Sequence, residues 1–453
     1  MGIDKMEKSL TDGKIGKSLL LFSLPMILGN MLQQLYNVVD TLIVGKVIGA
    51  TALVAVGSSY ALMVLLTSII LGLCMGSGVV FAQLFGAKRM DHMKVSIVNA
   101  FVFILIVSIS INIVAFLLLE KFVLWLNIPS GAVEMTEEYL GIIFIGIIFI
   151  YVYNFFASVL RSIGNTAVPL LFLGISAVTN ILLDMIFILC FDMGVGGAAW
   201  ATVIAQGLSA LSITIYFFSK SKVICPTKKH WHYDKHLLHM VITNSVLTAI
   251  QQSIMNLGIL MVQGLVNSFG IATSAAFAAV VKIDAFAYMP AQDFGNAFST
   301  FIAQNYGAKQ PDRIRQGTKF AVKISVMFCI FASVCVCLFA GPLMEIFVKA
   351  GETEIISIGI QYLYIEGACY VGIGLLFLLY GFYRGIGNGV MSIVLTVVSL
   401  GSRVLLAYTL SDVVAIGVVG IWWAIPIGWL LADILGFWYF KIKIKNNDLL
   451  ITM

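Results

Sequence analysis

The chain has 453 residues, of which 60% are apolar and only 11% charged, and its mean hydropathy is +1.02. A soluble globular protein is about a quarter charged, so a water-solvated fold is excluded and lipid is the expected solvent. The net charge of +5 follows from membrane topology, as the distribution of Lys and Arg shows, and no nucleic-acid patch is read in it.

Apolar stretches of about 20 residues, long enough to cross a bilayer as a helix, recur along the whole chain. They predict twelve spans near 16–44, 51–83, 95–119, 136–160, 167–190, 195–219, 239–268, 272–304, 318–347, 354–382, 389–412 and 417–440. The fold class expected is all-α and integral to the membrane. Lys14 and Lys17 precede the first span as in a signal peptide, but its apolar run is long and no small-residue cleavage site follows, so it is kept as a mature helix.

Cytoplasmic loops collect Lys and Arg. Lys5, Lys8, Lys14 and Lys17 precede the first span; Lys88, Arg89 and Lys94 follow the second, Arg161 the fourth, and Lys220, Lys222, Lys228, Lys229 and Lys235 the sixth. Lys309, Arg313, Arg315, Lys319 and Lys323 follow the eighth span, Arg384 the tenth, and Lys441, Lys443 and Lys445 the twelfth. With 22 of the 27 Lys and Arg on one side, against Lys46, Lys121 and Lys349 on the other, both termini are expected in the cytoplasm.

The chain repeats itself. Ala82-Gln83-x-x-Gly86-Ala87-Lys88 returns as Ala303-Gln304-x-x-Gly307-Ala308-Lys309, and Arg161-Ser162-Ile163-Gly164-Asn165 returns as Arg384-Gly385-Ile386-Gly387-Asn388. Val195-x-Gly197-x-x-Trp200-Ala201 returns as Val418-x-Gly420-x-x-Trp423-Ala424. Six spans per copy is an even number, so both halves start on the same side and an axis along the membrane normal relates them. The division expected is an N-terminal lobe over 1–219, a basic linker over 220–238 and a C-terminal lobe over 239–453, with the transport path between lobes.

The first span with Pro25 and Tyr36-Asn37-x-x-Asp40-Thr41, the Arg-x-Ile-Gly-Asn loop and Asn180-x-x-x-Asp184 together resemble the multidrug and toxic compound extrusion (MATE) family, in its DinF-like branch. The resemblance runs over nearly the whole chain. It implies two six-helix lobes around a V-shaped cleft, alternating access, and export coupled to Na⁺ or H⁺. It also implies a cation site in the N-terminal lobe formed by Asp40, Asn180, Asp184 and Thr202, and a bending first helix with Pro25 as its joint.

The residues themselves lead to the same carboxylates, since an ionisable group in mid-membrane is expensive and marks a functional site by default. Asn180 and Asp184 are four apart and share one helical face. Asp40 supplies a second carboxylate; oxygen ligands suit a hard cation, and two close carboxylates favour a proton on one of them, so either ion fits. The alternative is that Asp184 only caps or bonds neighbouring helices. At offset 223 the partners of Asn180 and Asp184 are Arg403 and Ala407, and a purely architectural pair would more readily recur in both lobes.

Lys282, Asp284, Asp293, Glu366 and Arg403 also lie within spans. They read either as internal charge pairing, for instance Arg403 with Glu366, or as a second ion site. Candidate substrate-binding residues, polar or adaptable in an apolar setting, are Met31, Gln34, Tyr36, Asn37, Met63, Tyr139, Tyr153 and Asn154, with Gln251, Gln252, Met255, Asn256 and Met289 in the second half.

No nucleotide-binding loop, HExxH or nucleophile motif is present, and His232 and His236 fall in a solvated loop. The seven cysteines show no metal or disulfide spacing. The function expected is therefore not an enzyme's but that of a secondary antiporter in the plasma membrane. It would export small cationic or amphipathic compounds in exchange for H⁺ or Na⁺, as a monomer without cofactor. The alternative is a lipid-linked glycan flippase of the same superfamily. Such flippases often carry extra helices and a strongly basic cavity, whereas Lys282 and Arg403 are the only basic residues away from the ends of these twelve spans.

Overall fold

In hydrocarbon an unpaired backbone group costs several kcal/mol, so a spanning segment closes its hydrogen bonds within a helix. The computed structural model follows this rule: among the described residues, 9–125, 128–349, 351–413 and 416–445, there are helices and no strands. The positive charges expected at Lys5 and Lys8 lie outside the described residues.

In chain order the helices are α1 (Ile15–Ile43), α2 (Ala50–Gly86), α3 (Met90–Leu117), α4 (Leu119–Trp125), α5 (Val133–Ser162), α6 (Ala167–Asp184), α7 (Gly194–Lys220) and α8 (Lys235–Asn267). There follow α9 (Ile271–Gly307), α10 (Pro311–Leu338), α11 (Ala340–Glu345), α12 (Thr353–Gly367), α13 (Tyr370–Gly385), α14 (Gly389–Ser411) and α15 (Val418–Lys445). Eleven are long and apolar enough to cross a membrane, and the bent pair α12 and α13 makes up to twelve.

Two spans differ from the sequence expectation. The tenth, expected as one helix over 354–382, is broken after Gly367 and bent by 52°. The ninth, expected to reach 347, ends at Leu338 because Pro342 has no N–H for the Leu338 carbonyl and its ring crowds that group; α11 restarts from Ala340.

The helices are apolar on their outer faces as well as their inner ones. On α3, Ile106, Ile109, Ile113 and Leu117 recur at spacings of three and four and are exposed, while Ile104, Ser108 and Ala115 are buried. Such a surface could not face water.

Contacts divide the chain into two compact units that follow the two halves of the sequence except at two helices. Unit 1 holds Leu28–Ala249 and unit 2 holds Leu10–Ile27 with Ile250–Met453. Thus α1 starts in unit 2 and ends in unit 1, and α8 does the reverse. In unit 1, α5 packs between α2 and α7 around Phe81, Phe101, Tyr151, Phe155 and Phe156. In unit 2, α9 packs along α13, and Phe277 stacks on Trp422 at 5.7 Å.

Candidate functional site

The polar stripe of α6 is visible in its burial. Ser176, Asn180 and Asp184, one turn apart, are buried, while Ile175, Val178 and Leu182 on the other faces are exposed. The stripe faces α7: Ser176 Oγ donates to the Ala205 carbonyl at 2.8 Å, and Asn180 Nδ2 donates to Thr202 Oγ1 at 3.3 Å. Asp184 is 0% exposed and ends the α-helical part of this span, with a π-helical turn, Met185–Cys190, following at once. Asp40 lies in the last turn of α1, just before another π-helical turn, Val44–Ile48. Wider turns of this kind re-aim side chains and recur at functional sites.

The carboxyls of Asp40 and Asp184 face each other within hydrogen-bonding reach. Tyr139 lies within electrostatic range of both carboxyls and Tyr36 within range of Asp40. Four oxygens here are buried without a hydrogen-bond donor: Asp40 Oδ1, Asn180 Oδ1 and both oxygens of Asp184. A buried carboxylate costs several kcal/mol unless a positive charge offsets it. The acceptors fit a proton or a small hard cation.

The four residues expected as an ion site are therefore brought together within unit 1. Sequence reasoning missed Gln206, one turn from Thr202 on α7, whose Oε1 is buried without a donor. That oxygen lies 2.7 Å from where a Cβ on Gly146 would sit, so the absence of a side chain there makes its room.

The substrate candidates are divided by the fold. Met31, Gln34, Tyr36, Asn37, Met63, Tyr139, Tyr153 and Asn154 belong to unit 1, and Gln251, Gln252, Met255, Asn256 and Met289 to unit 2. Tyr139 shares the surroundings of the carboxyl pair. Tyr153 is tied down, its hydroxyl donating to the Pro169 carbonyl at 2.8 Å, and Asn154 Nδ2 bonds its own helix at Ile150. Gln251 is buried, whereas Gln252, Met255 and Asn256 are half-buried.

Unit 2 has its own buried charges. Asp284 accepts from two tyrosines, Tyr362 Oη at 2.8 Å and Tyr370 Oη. Glu366, one residue before the end of α12, acts electrostatically on Asp284 and Arg403. The ion pair considered between Arg403 and Glu366 does not form: among the described residues Glu366 Oε2 and Arg403 Nε are buried without hydrogen bonds. Tyr362 and Tyr370, on the two sides of the break after Gly367, both bond Asp284. Lys282 points away from this cluster and lies over the Phe347 ring, 5.9 Å from its centroid. Sequence reasoning also missed Asp433 in α15, buried with Oδ1 lacking a donor, which the mid-membrane rule applied to Asp284 would have found.

An all-helical fold with eleven to twelve candidate spans and a facing carboxyl pair on two of them fits a membrane transporter. Comparison with known proteins gives its family. The MatE family model matches residues 25–186 and 246–409. The chain is 31% identical over 393 residues to the probable multidrug resistance protein YpnP of Bacillus subtilis, covering 86% of each. It is similar in fold to a MATE transporter crystallised with MaL6, with a TM-score of 0.92, 24% identity and coverage of 99% and 100%. It also matches an outward-facing MATE family multidrug resistance transporter, with a TM-score of 0.91, 23% identity and 98% of each chain. The chain belongs to the MATE family of efflux transporters.

Proposed function

We propose that this transporter is an antiporter that exports small cationic or amphipathic organic compounds in exchange for H⁺ or Na⁺. The observation that carries the reading is the Asp40–Asp184 pair, whose facing carboxyls keep Asp40 Oδ1 and both oxygens of Asp184 buried and unpartnered. A site of that kind holds a positive charge from outside the protein in at least one state, and exchanging that charge across the membrane supplies the driving force. Asp184 and Asp40 hold the ion; Asn180 lends an amide oxygen and is itself positioned by Thr202. The multidrug resistance relative supports the substrate class. The candidate substrate residues of both units bind cargo by alternating access, with Pro25 as a joint in α1. The chain acts as a monomer in the plasma membrane, with both termini cytoplasmic and no cofactor.

The test is efflux from proteoliposomes with ΔpH and ΔNa⁺ imposed separately. One gradient is expected to drive export, and Asp184→Asn, which removes charge but little volume, is expected to abolish it with insertion and folding intact. Export that ignores both gradients, or wild-type export by D184N at equal protein content, overturns the reading.

A further inference from the structure

We propose that residues 221–249, the linker and the first half of α8, are a fixed anchor by which unit 1 holds the helix that continues into unit 2. Two independent sets of contacts place this segment on unit 1. The first is a clip on the linker. His230 is 2% exposed although its neighbours Lys229 and Trp231 are exposed, and its Nδ1 accepts from the Thr227 backbone N–H at 3.0 Å. That bond fixes the tautomer with the proton on Nε2, which donates to Asp91 Oδ1 at 3.0 Å in the first turn of α3. Lys229 adds a bond of 3.2 Å to the same oxygen, and buried Ile224 pins the other end of the linker into the unit 1 core.

The second set is a backbone contact without side chains between. A Cβ added to Gly72 of α2 would sit 2.8 Å from the Ala249 nitrogen and 3.0 Å from the Thr248 carbonyl. One turn on, a Cβ at Gly76 would sit 2.5 Å from Ser245 Cα. Helices that meet through backbone have little freedom to slide, because each shift meets the next turn rather than a side chain that yields.

The other half does not repeat this. Helices α2 and α9 are both 37 residues long and start at Ala50 and Ile271, so Gly72 and Gly76 correspond to Asp293 and Ala297. The first part of α1 is held in unit 2 by other means. Arg313 donates to the Leu10, Asp12 and Gly13 carbonyls at 3.1, 2.8 and 2.8 Å, and Gly16 faces the ring of Phe320, a side chain that can swing. Two helices pass between the units: the segment leading into α1 is held by hydrogen bonds with Gln304, Asn305 and Arg313, whereas α8 adds to its clip a direct backbone contact with α2. The first half of α8 is the stationary end of that connection, whichever ion drives transport, so the inference needs only that the transporter cycles.

The clip is the part that can be opened without touching the transport site. Asp91→Ala and His230→Ala, made in the full chain and reconstituted, are expected to speed tryptic cleavage at Lys228 and Lys229. They are expected to leave ethidium binding unchanged and to slow ethidium efflux about fivefold. Both variants are needed, since Asp91 also favours the start of α3 and His230 does not. The converse variant, Asp91→Cys with His230→Cys in a Cys225→Ser background, is expected to keep its efflux rate when oxidised to the disulfide, because a fixed anchor does not have to move. Faster cleavage with an unchanged efflux rate, an undisturbed linker in both alanine variants, or efflux stopped by the disulfide each overturns the proposal. If the disulfide does not form, the alanine variants decide alone. Efflux absent from the wild type would instead count against the transport reading.

Discussion

At the scale of the residue, Asp184 and Asn180 do different work although they share one helical face. Asp184 is fully buried with both oxygens lacking donors, so its role depends on charge, and the loss expected in D184N is complete. Asn180 contributes one oxygen and one hydrogen bond to Thr202. Asn180→Ala is expected to raise the concentration of the driving ion needed for half-maximal efflux about tenfold, in line with about 1–3 kcal/mol for an unmade buried hydrogen bond. Thr202→Val is expected to have a smaller effect of the same sign; an effect larger than that of N180A would make Thr202 a direct ligand. In unit 2 the same logic points to stability. Tyr362→Phe or Tyr370→Phe leaves one oxygen of buried Asp284 without its donor, which is expected to cost about 1–3 kcal/mol. A lowered unfolding temperature in detergent is the readout, and an unchanged one would mean that Asp284 does not need both donors.

At the scale of the element, α1 is where sequence chemistry and unit boundary coincide. Pro25 removes the hydrogen bond to the Leu21 carbonyl and loosens that turn. The helix passes from unit 2 to unit 1 after Ile27, two residues beyond Pro25. Asp40, about four turns further on, lies in the last turn of the same helix. Pro25→Ala is expected to preserve ethidium binding and slow turnover, with spin labels on α1 no longer responding to pH or Na⁺. Normal export, or labels that still respond, would remove the hinge role and leave the ion site standing. On the two sides of the α12–α13 break, Tyr362 and Tyr370 both bond Asp284 of α9.

At the scale of the whole molecule, the 22-to-3 charge asymmetry across the predicted loops predicts a cytoplasmic linker. Labelling of a cysteine at Lys228 is expected only from that side of sealed membranes; labelling from outside intact cells would invert the topology. Lys228 is exposed, so failure to label from outside reports sidedness, not burial.

Much of this was readable in advance because lipid allows so few solutions. Span length, the even number of spans per repeat and the expense of a mid-membrane carboxylate act locally or statistically; they sufficed for the helical class and drew attention to Asp40, Asn180 and Asp184. Thr202 came from family resemblance, since a threonine in an apolar span carries no signal of its own. Tertiary structure alone decided which groups meet. Nothing in the spacing of Glu366 and Arg403 says that two tyrosines hold Asp284 while those two stay unpaired. Nor does the pattern of α1 and α8 say that each helix changes units midway. Those outcomes depend on how turns of distant helices fit, at Gly72 and Gly76 against Ala249 and Ser245 above all, and close packing is a property of pairs of surfaces that one strand of sequence does not contain.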